Sequence, residues 1–162
     1  MLVKESLQKL YEIGEASVQP YNFYLEDSEI GFDDWVSYKF QTEDRDKYII
    51  QFIRKNNFWV IQFSLTGKKN FNHEQVVNKG RNFRVMATVV NVIKIFVEWK
   101  HPDKMFMVAS KSKEEDKRRL HMYMRYLEKN ITSDYTFRTE TYKSWDFSEN
   151  NQDQDVIVIE KI

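Results

Sequence analysis

The sequence predicts an α+β domain, a mostly antiparallel, twisted sheet packed on one buried central helix. Three observations carry that reading. Residues 35–65 hold three stretches that alternate or run apolar, separated by Thr42-Glu43-Asp44-Arg45-Asp46 and Lys55-Asn56-Asn57, which is the pattern of an antiparallel meander with tight turns. Residues 81–100 carry one polar stripe, Arg84, Thr88, Asn91, Lys94 and Glu98, so a helix formed there must be covered on most of its circumference. Residues 104–109 are a short apolar run directly after that helix and read as a central strand.

The remaining elements follow in order. Leu7, Leu10 and Tyr11 recur at helical spacing before Gly14, which predicts a short first helix ending where a left-handed residue is needed. Residues 16–25 read as an extended edge segment, because Pro20 cannot donate to a sheet ladder while Val18, Tyr21 and Phe23 favour strand. In the third stretch of the meander Trp59, Ile61, Phe63 and Leu65 share one face and are expected to point inward. His101-Pro102 ends the long helix, since proline disfavours helical geometry in the residue before it. Ser112 with Glu115 forms a capping-box pattern for a helix over 113–129, with Leu120, Tyr123, Met124 and Leu127 inward. Residues 134–143 alternate as a strand, and 156–159 close the chain as another. No linker or repeat divides the 162 residues, so a single domain over 1–162 is expected.

Composition excludes several function classes. Lys plus Arg equals Asp plus Glu at 25 each, so no net field draws the protein to nucleic acid or an anionic membrane. The absence of cysteine removes thiolate nucleophiles and Cys-ligated metals and fits a reducing cytoplasm. The longest apolar run, 83–99, is broken by Arg84, Asn91, Lys94 and Glu98, which argues against a membrane span. His73, His101 and His121 are scattered without ligand spacing, so no metal site is expected. Ser64 and Ser110 lack a nucleophile elbow, and Asp33, Asp34, Asp44, Asp46 and Asp116 stand in contexts that favour solvation.

The strongest candidate site is the stretch from Lys68 to Arg84. Lys68, Lys69, Lys79, Gly80, Arg81, Asn82 and Arg84 lead directly into the long helix, and a helix start offers unpaired N–H groups and partial positive charge to an anion. Gly80 would let a ligand approach the backbone closely. With Phe71 and Phe83 the same stretch has the basic and aromatic ingredients of a nucleic-acid surface, in modest amount. A solvated loop entering a helix has the same composition.

The order of elements resembles the Gcn5-related N-acetyltransferase (GNAT) fold over residues 35–162: a meander, a phosphate-binding turn and helix, a strand, a second helix and two closing strands. That resemblance implies acetyl-coenzyme A held at a turn whose three marked positions correspond here to Val77, Gly80 and Asn82. Only Gly80 agrees with the family's pattern. The resemblance also places Tyr123, after Leu120-His121-Met122, where the family's tyrosine protonates the leaving thiolate, although Leu127 replaces the glycine that follows it there. Tyr123 also lies on the inward stripe, where a buried core tyrosine is the ordinary occupant.

A second resemblance is to an uncharacterised protein family of tailed bacteriophages. It rests on Glu12-Ile13-Gly14-Glu15-Ala16, on Gly80 with Phe83-Arg84-Val85-Met86-Ala87-Thr88-Val89, and on Ala109-Ser110-Lys111. It implies the host-cell cytoplasm and no particular activity. Because the cofactor pattern is degraded, the sequence favours a phage-encoded accessory protein that binds a host or viral macromolecule, a protein before a nucleic acid, with no catalysis and no cofactor. The alternative is an N-acetyltransferase using acetyl-coenzyme A, with Tyr123 as general acid.

Overall fold

The computed structural model describes residues 19–26, 34–66, 79–108, 114–143 and 153–162, with the backbone only at 65–66, 79–82 and 114–119. The helix expected around Leu7 to Gly14 lies outside them. The described chain runs β1 (Phe23–Leu25), β2 (Trp35–Gln41), β3 (Lys47–Lys55), β4 (Phe58–Thr66), α1 (Lys79–Lys100), β5 (Lys104–Val108), α2 (Glu114–Asn130), β6 (Tyr135–Tyr142) and β7 (Gln154–Lys161). The strands form one seven-stranded sheet in the order β1-β2-β3-β4-β5-β7-β6. Every neighbouring pair is antiparallel except β4 and β5. This is the α+β architecture, and the GNAT-like order, that the sequence predicts.

Local chemistry sets the turns. Asn56 takes φ 53 between β3 and β4, a left-handed geometry that asparagine tolerates better than most residues. The β2–β3 turn is stapled by Thr42, whose N–H donates to the Asp46 carbonyl at 2.9 Å and whose hydroxyl accepts from the Asp46 N–H at 3.2 Å. At the end of α1, His101 adopts φ 47 while its N–H reaches the Val97 carbonyl at 2.9 Å, and Pro102 follows. The helix therefore ends in a left-handed cap without glycine.

One face of the sheet carries the main core. Tyr38, Phe40, Tyr48, Ile50, Phe52, Trp59, Ile61, Met105, Met107, Ile157 and Ile159 meet Val89, Ile93 and Phe96 of α1 and Leu120, Tyr123, Tyr126 and Leu127 of α2. The inward face expected for β4 is present in Trp59 and Ile61, both buried, and in the partly buried Phe63. Phe96 is stacked on Phe52 with centroids 3.9 Å apart and meets Trp59 edge-on at 5.0 Å. Along α1 the expected polar stripe needs one correction. Thr88 is 0% exposed, because its hydroxyl donates to the Arg84 carbonyl at 2.7 Å and accepts from the Tyr21 N–H at 2.8 Å. The most exposed apolar side chains of α1 are instead Ile95 and Trp99 near its end.

The opposite face holds a smaller core of Phe106, Val156 and Val158, with Phe58, Val108 and Tyr142 against it. Beside it runs a polar network. Arg138 donates to Glu140 at 2.6 Å and to Glu160 at 2.9 Å, Lys104 pairs with Glu160 at 3.7 Å, and Tyr142 donates to Glu140 at 2.5 Å.

Candidate active site

The parallel pair marks the candidate site. β4 and β5 are in register only over Trp59↔Met105, Val60↔Phe106 and Ile61↔Met107. Past Ile61, β4 continues through residues 62–66 with no β5 partner among the described residues, while remaining paired to β3 as far as Lys47↔Thr66. Among the described residues the pairing of β4 with β5 therefore ends at Ile61 and Met107, while β4 itself runs on to Thr66. In sheets with parallel strands, ligands characteristically bind beyond the carboxyl ends of those strands.

The start of α1 lies at the same end of the sheet. Thr66 is opposite Lys47, the β2–β3 turn adjoins Lys47, and Glu43 of that turn lies 3.9 Å from the guanidinium of Arg84 in the early turns of α1. α1 begins at Lys79, two residues earlier than the sequence suggests. Gly80 consequently stands inside the first turn, where the leading N–H groups have no partner within the helix. No acidic residue occupies that turn, so its partial positive charge is not offset from within the helix.

A row of stacked rings runs across this end of the core face. Tyr21 stacks on Phe40 at 5.8 Å, Phe40 on Tyr48 at 5.1 Å, and Tyr48 on Phe63 at 5.2 Å. The row crosses from the segment before β1 over β2 and β3 and reaches Phe63, two residues past the last described pairing of β4 with β5. At the other end, Arg84 lies over the Tyr21 ring at 4.0 Å, donates from Nε to the Gln19 carbonyl at 3.0 Å, and faces the same Glu43 carboxylate that accepts from the Tyr21 hydroxyl at 2.5 Å.

The residues singled out in the sequence divide accordingly. Gly80 lies in the first turn of α1, as do the backbones of Lys79, Arg81 and Asn82. Arg84 is engaged with Tyr21, Gln19 and Glu43 and works as a brace. Lys68, Lys69 and Val77 lie outside the described residues. Tyr123 stands on the inward face of α2, 8% exposed, among the core residues. α2 follows β5 in the chain. His101 and His121 are exposed and lie in separate elements. Asp34 forms an ion pair with Arg54 at 3.8 Å.

Sequence reasoning missed Tyr21 and Glu43. Nothing local signals them, because the bonds that recruit Tyr21 to Thr88 and Arg84 to Gln19 span 67 and 65 positions. The i, i+4 placement of Arg84 and Thr88 inside an otherwise apolar helix was the available hint.

No protein-family model matches the chain, and no curated protein matches it. Among solved structures, it is similar to a chimeric spermidine N-acetyltransferase from Vibrio cholerae, at 12% identity and TM-score 0.47, covering 96% of this chain and 74% of that one. It is similar to a ribosomal-protein alanine acetyltransferase from Vibrio fischeri, at 12% identity and TM-score 0.45, over 98% and 69% of the two chains. A GNAT-family protein from Bacteroides thetaiotaomicron gives 15% identity and TM-score 0.44 over 98% and 81%. These neighbours are named as acetyltransferases, and nothing among them supports the sequence-based preference for a non-catalytic protein that acts by binding a host or viral macromolecule. The expectation that no cofactor is used loses its basis with it.

Proposed function

We propose that the chain is an N-acetyltransferase that takes its acetyl group from acetyl-coenzyme A. The observation that carries the reading is that the described parallel pairing of β4 with β5 stops at Ile61, at the end of the sheet where α1 begins. Coenzyme A pairs an anionic diphosphate with a long arm containing amide groups. The stretch of β4 past the end of its described pairing with β5 would offer main-chain donors and acceptors to such amides, and the start of α1 would offer N–H groups and partial positive charge to the phosphates. Gly80 lacks the Cβ that would stand in the way of that approach. The chain's own residues therefore fit the group.

When bound, acetyl-coenzyme A supplies an acetyl group activated as a thioester. The chain has to hold the thioester still, exclude water from it, and return a proton to the departing sulfur as the acceptor amine loses one. Tyr123 is assigned that proton. It is a phenol, it is largely out of solvent, and it is carried by the helix that follows β5. The partner expected from the sequence, a host or viral macromolecule, becomes in this reading the acetyl acceptor. The phage resemblance supports the cytoplasm of an infected bacterium as the place of action. No helix among the described residues is long and apolar enough to cross a membrane.

Calorimetric titration with coenzyme A and acetyl-coenzyme A tests the binding half of the proposal. The protein should bind both, and Gly80→Trp, which fills the approach to the helix start, should abolish binding while the fold persists. Equal affinity in Gly80→Trp would remove the assigned position. The catalytic half is tested by Tyr123→Phe, which should lower turnover by about tenfold or more with cofactor affinity unchanged. Full turnover in that variant would eliminate Tyr123 as the acid.

A further inference from the structure

We infer that Thr88 is a positioning residue for this site, the keystone of a brace that holds the start of α1 against the aromatic row that reaches Phe63 of β4. The inference rests on the acetyltransferase reading. Thr88 is fully buried, and its one hydroxyl makes two bonds, accepting from the Tyr21 N–H at 2.8 Å and donating to the Arg84 carbonyl one turn back at 2.7 Å. The first bond pins the segment before β1 to α1. The second fixes the turn from which Arg84 reaches out, and Arg84 then closes the structure by lying over the Tyr21 ring and binding the Gln19 carbonyl. Glu43 accepts from the Tyr21 hydroxyl and faces Arg84, which ties the β2–β3 turn into the same assembly.

Two parts of the proposed site depend on this arrangement. The early turns of α1, which follow the leading amides offered to the phosphates, are fastened through Arg84 and Thr88. Tyr21 is also the first ring of the row Tyr21, Phe40, Tyr48, Phe63, so its position is transmitted by stacked rings to β4 residue Phe63, beyond the last residue paired with β5. A threonine turned inward on an apolar helix could be replaced by valine with little change of volume if it served only to fill space. Here the hydroxyl is what joins three segments, and losing it removes the acceptor that Thr88 offers to the Tyr21 N–H.

The test compares Thr88→Val, Thr88→Ser and Tyr135→Phe by calorimetric titration with coenzyme A, with thermal unfolding of each variant measured alongside. Tyr135→Phe is the control, because it also removes a buried hydroxyl bond, the 2.7 Å contact to the Pro102 carbonyl, but between the end of α1 and β6. Thr88→Val should weaken coenzyme A binding by about fivefold, the scale of one lost hydrogen bond. Thr88→Ser, which keeps the hydroxyl, should restore affinity to within about twofold. Tyr135→Phe should be destabilised and bind normally. Wild-type affinity in folded Thr88→Val, or an equal loss in Tyr135→Phe, would overturn the inference alone. Absence of coenzyme A binding in the unmodified protein would overturn the acetyltransferase reading, and this inference with it.

Discussion

Arg138 links two carboxylates to the pH dependence of this fold. Its guanidinium, hydrogen-bonded first to Glu140 and then to Glu160, holds both carboxyls below the usual value of 4.5, with Tyr142 adding a second bond to Glu140. Burial, and then the bond to the Glu140 carboxylate, pushes the Tyr142 phenol from 10.0 up to about 12. The signs follow from which state holds the proton more tightly. For the two glutamates the folded state favours the ionised form, so their contribution is present above about pH 4.5 and is lost as the pH falls through their lowered values. For Tyr142 the folded state favours the protonated form, so its contribution is present below pH 10 and is lost between 10.0 and about 12. Thermal unfolding followed against pH should show a plateau with a fall on each side. Arg138→Met should make the acid limb shallower, because the glutamates then titrate nearer their unfolded values. An acid limb unchanged in Arg138→Met would show that other carboxylates govern it.

At the scale of elements, α1 does most of the structural work and was the most legible part of the sequence. Its near-continuous apolar pattern required cover, and Phe96 shows what the cover is worth. The ring is 0% exposed between Phe52, Trp59 and Trp99. Phe96→Ala should therefore cost about 3–5 kcal/mol in urea unfolding. A loss under about 1 kcal/mol would mean that the site collapses around the smaller side chain. The helix end makes a second prediction. His101 holds φ 47, where a Cβ is disfavoured, so His101→Gly should gain up to about 1 kcal/mol in the same measurement. The strands were legible because turn residues bracket them, and β2 to β4 lie within a residue of the expected limits. The polar stripe on α1 was less so. Thr88 has the right spacing for the solvent face, and only the distant Tyr21 N–H explains why it turns inward.

At the scale of the whole molecule, the sheet order places one parallel contact at the centre of an otherwise antiparallel sheet. The GNAT-like order could be read from the succession of elements, since a helix between two strands commonly returns the chain in parallel. The length of the parallel contact could not, because the apolar run 104–108 looks the same whether three or five of its residues face β4. The point at which the described pairing ends was thus invisible in the sequence, where the turn around Gly80 keeps only one of the three marked positions of the resembled family. In the acetyltransferase reading, main-chain groups of β4 and of the helix start do the binding and need no particular side chains, so a weak motif does not count against it. Hydrogen–deuterium exchange with and without acetyl-coenzyme A tests this most directly. The account predicts protection concentrated in residues 62–66 and at the start of α1, and little change at β6 or along the face of Val156 and Val158. Protection confined to those other regions, or none at saturating cofactor, would contradict it.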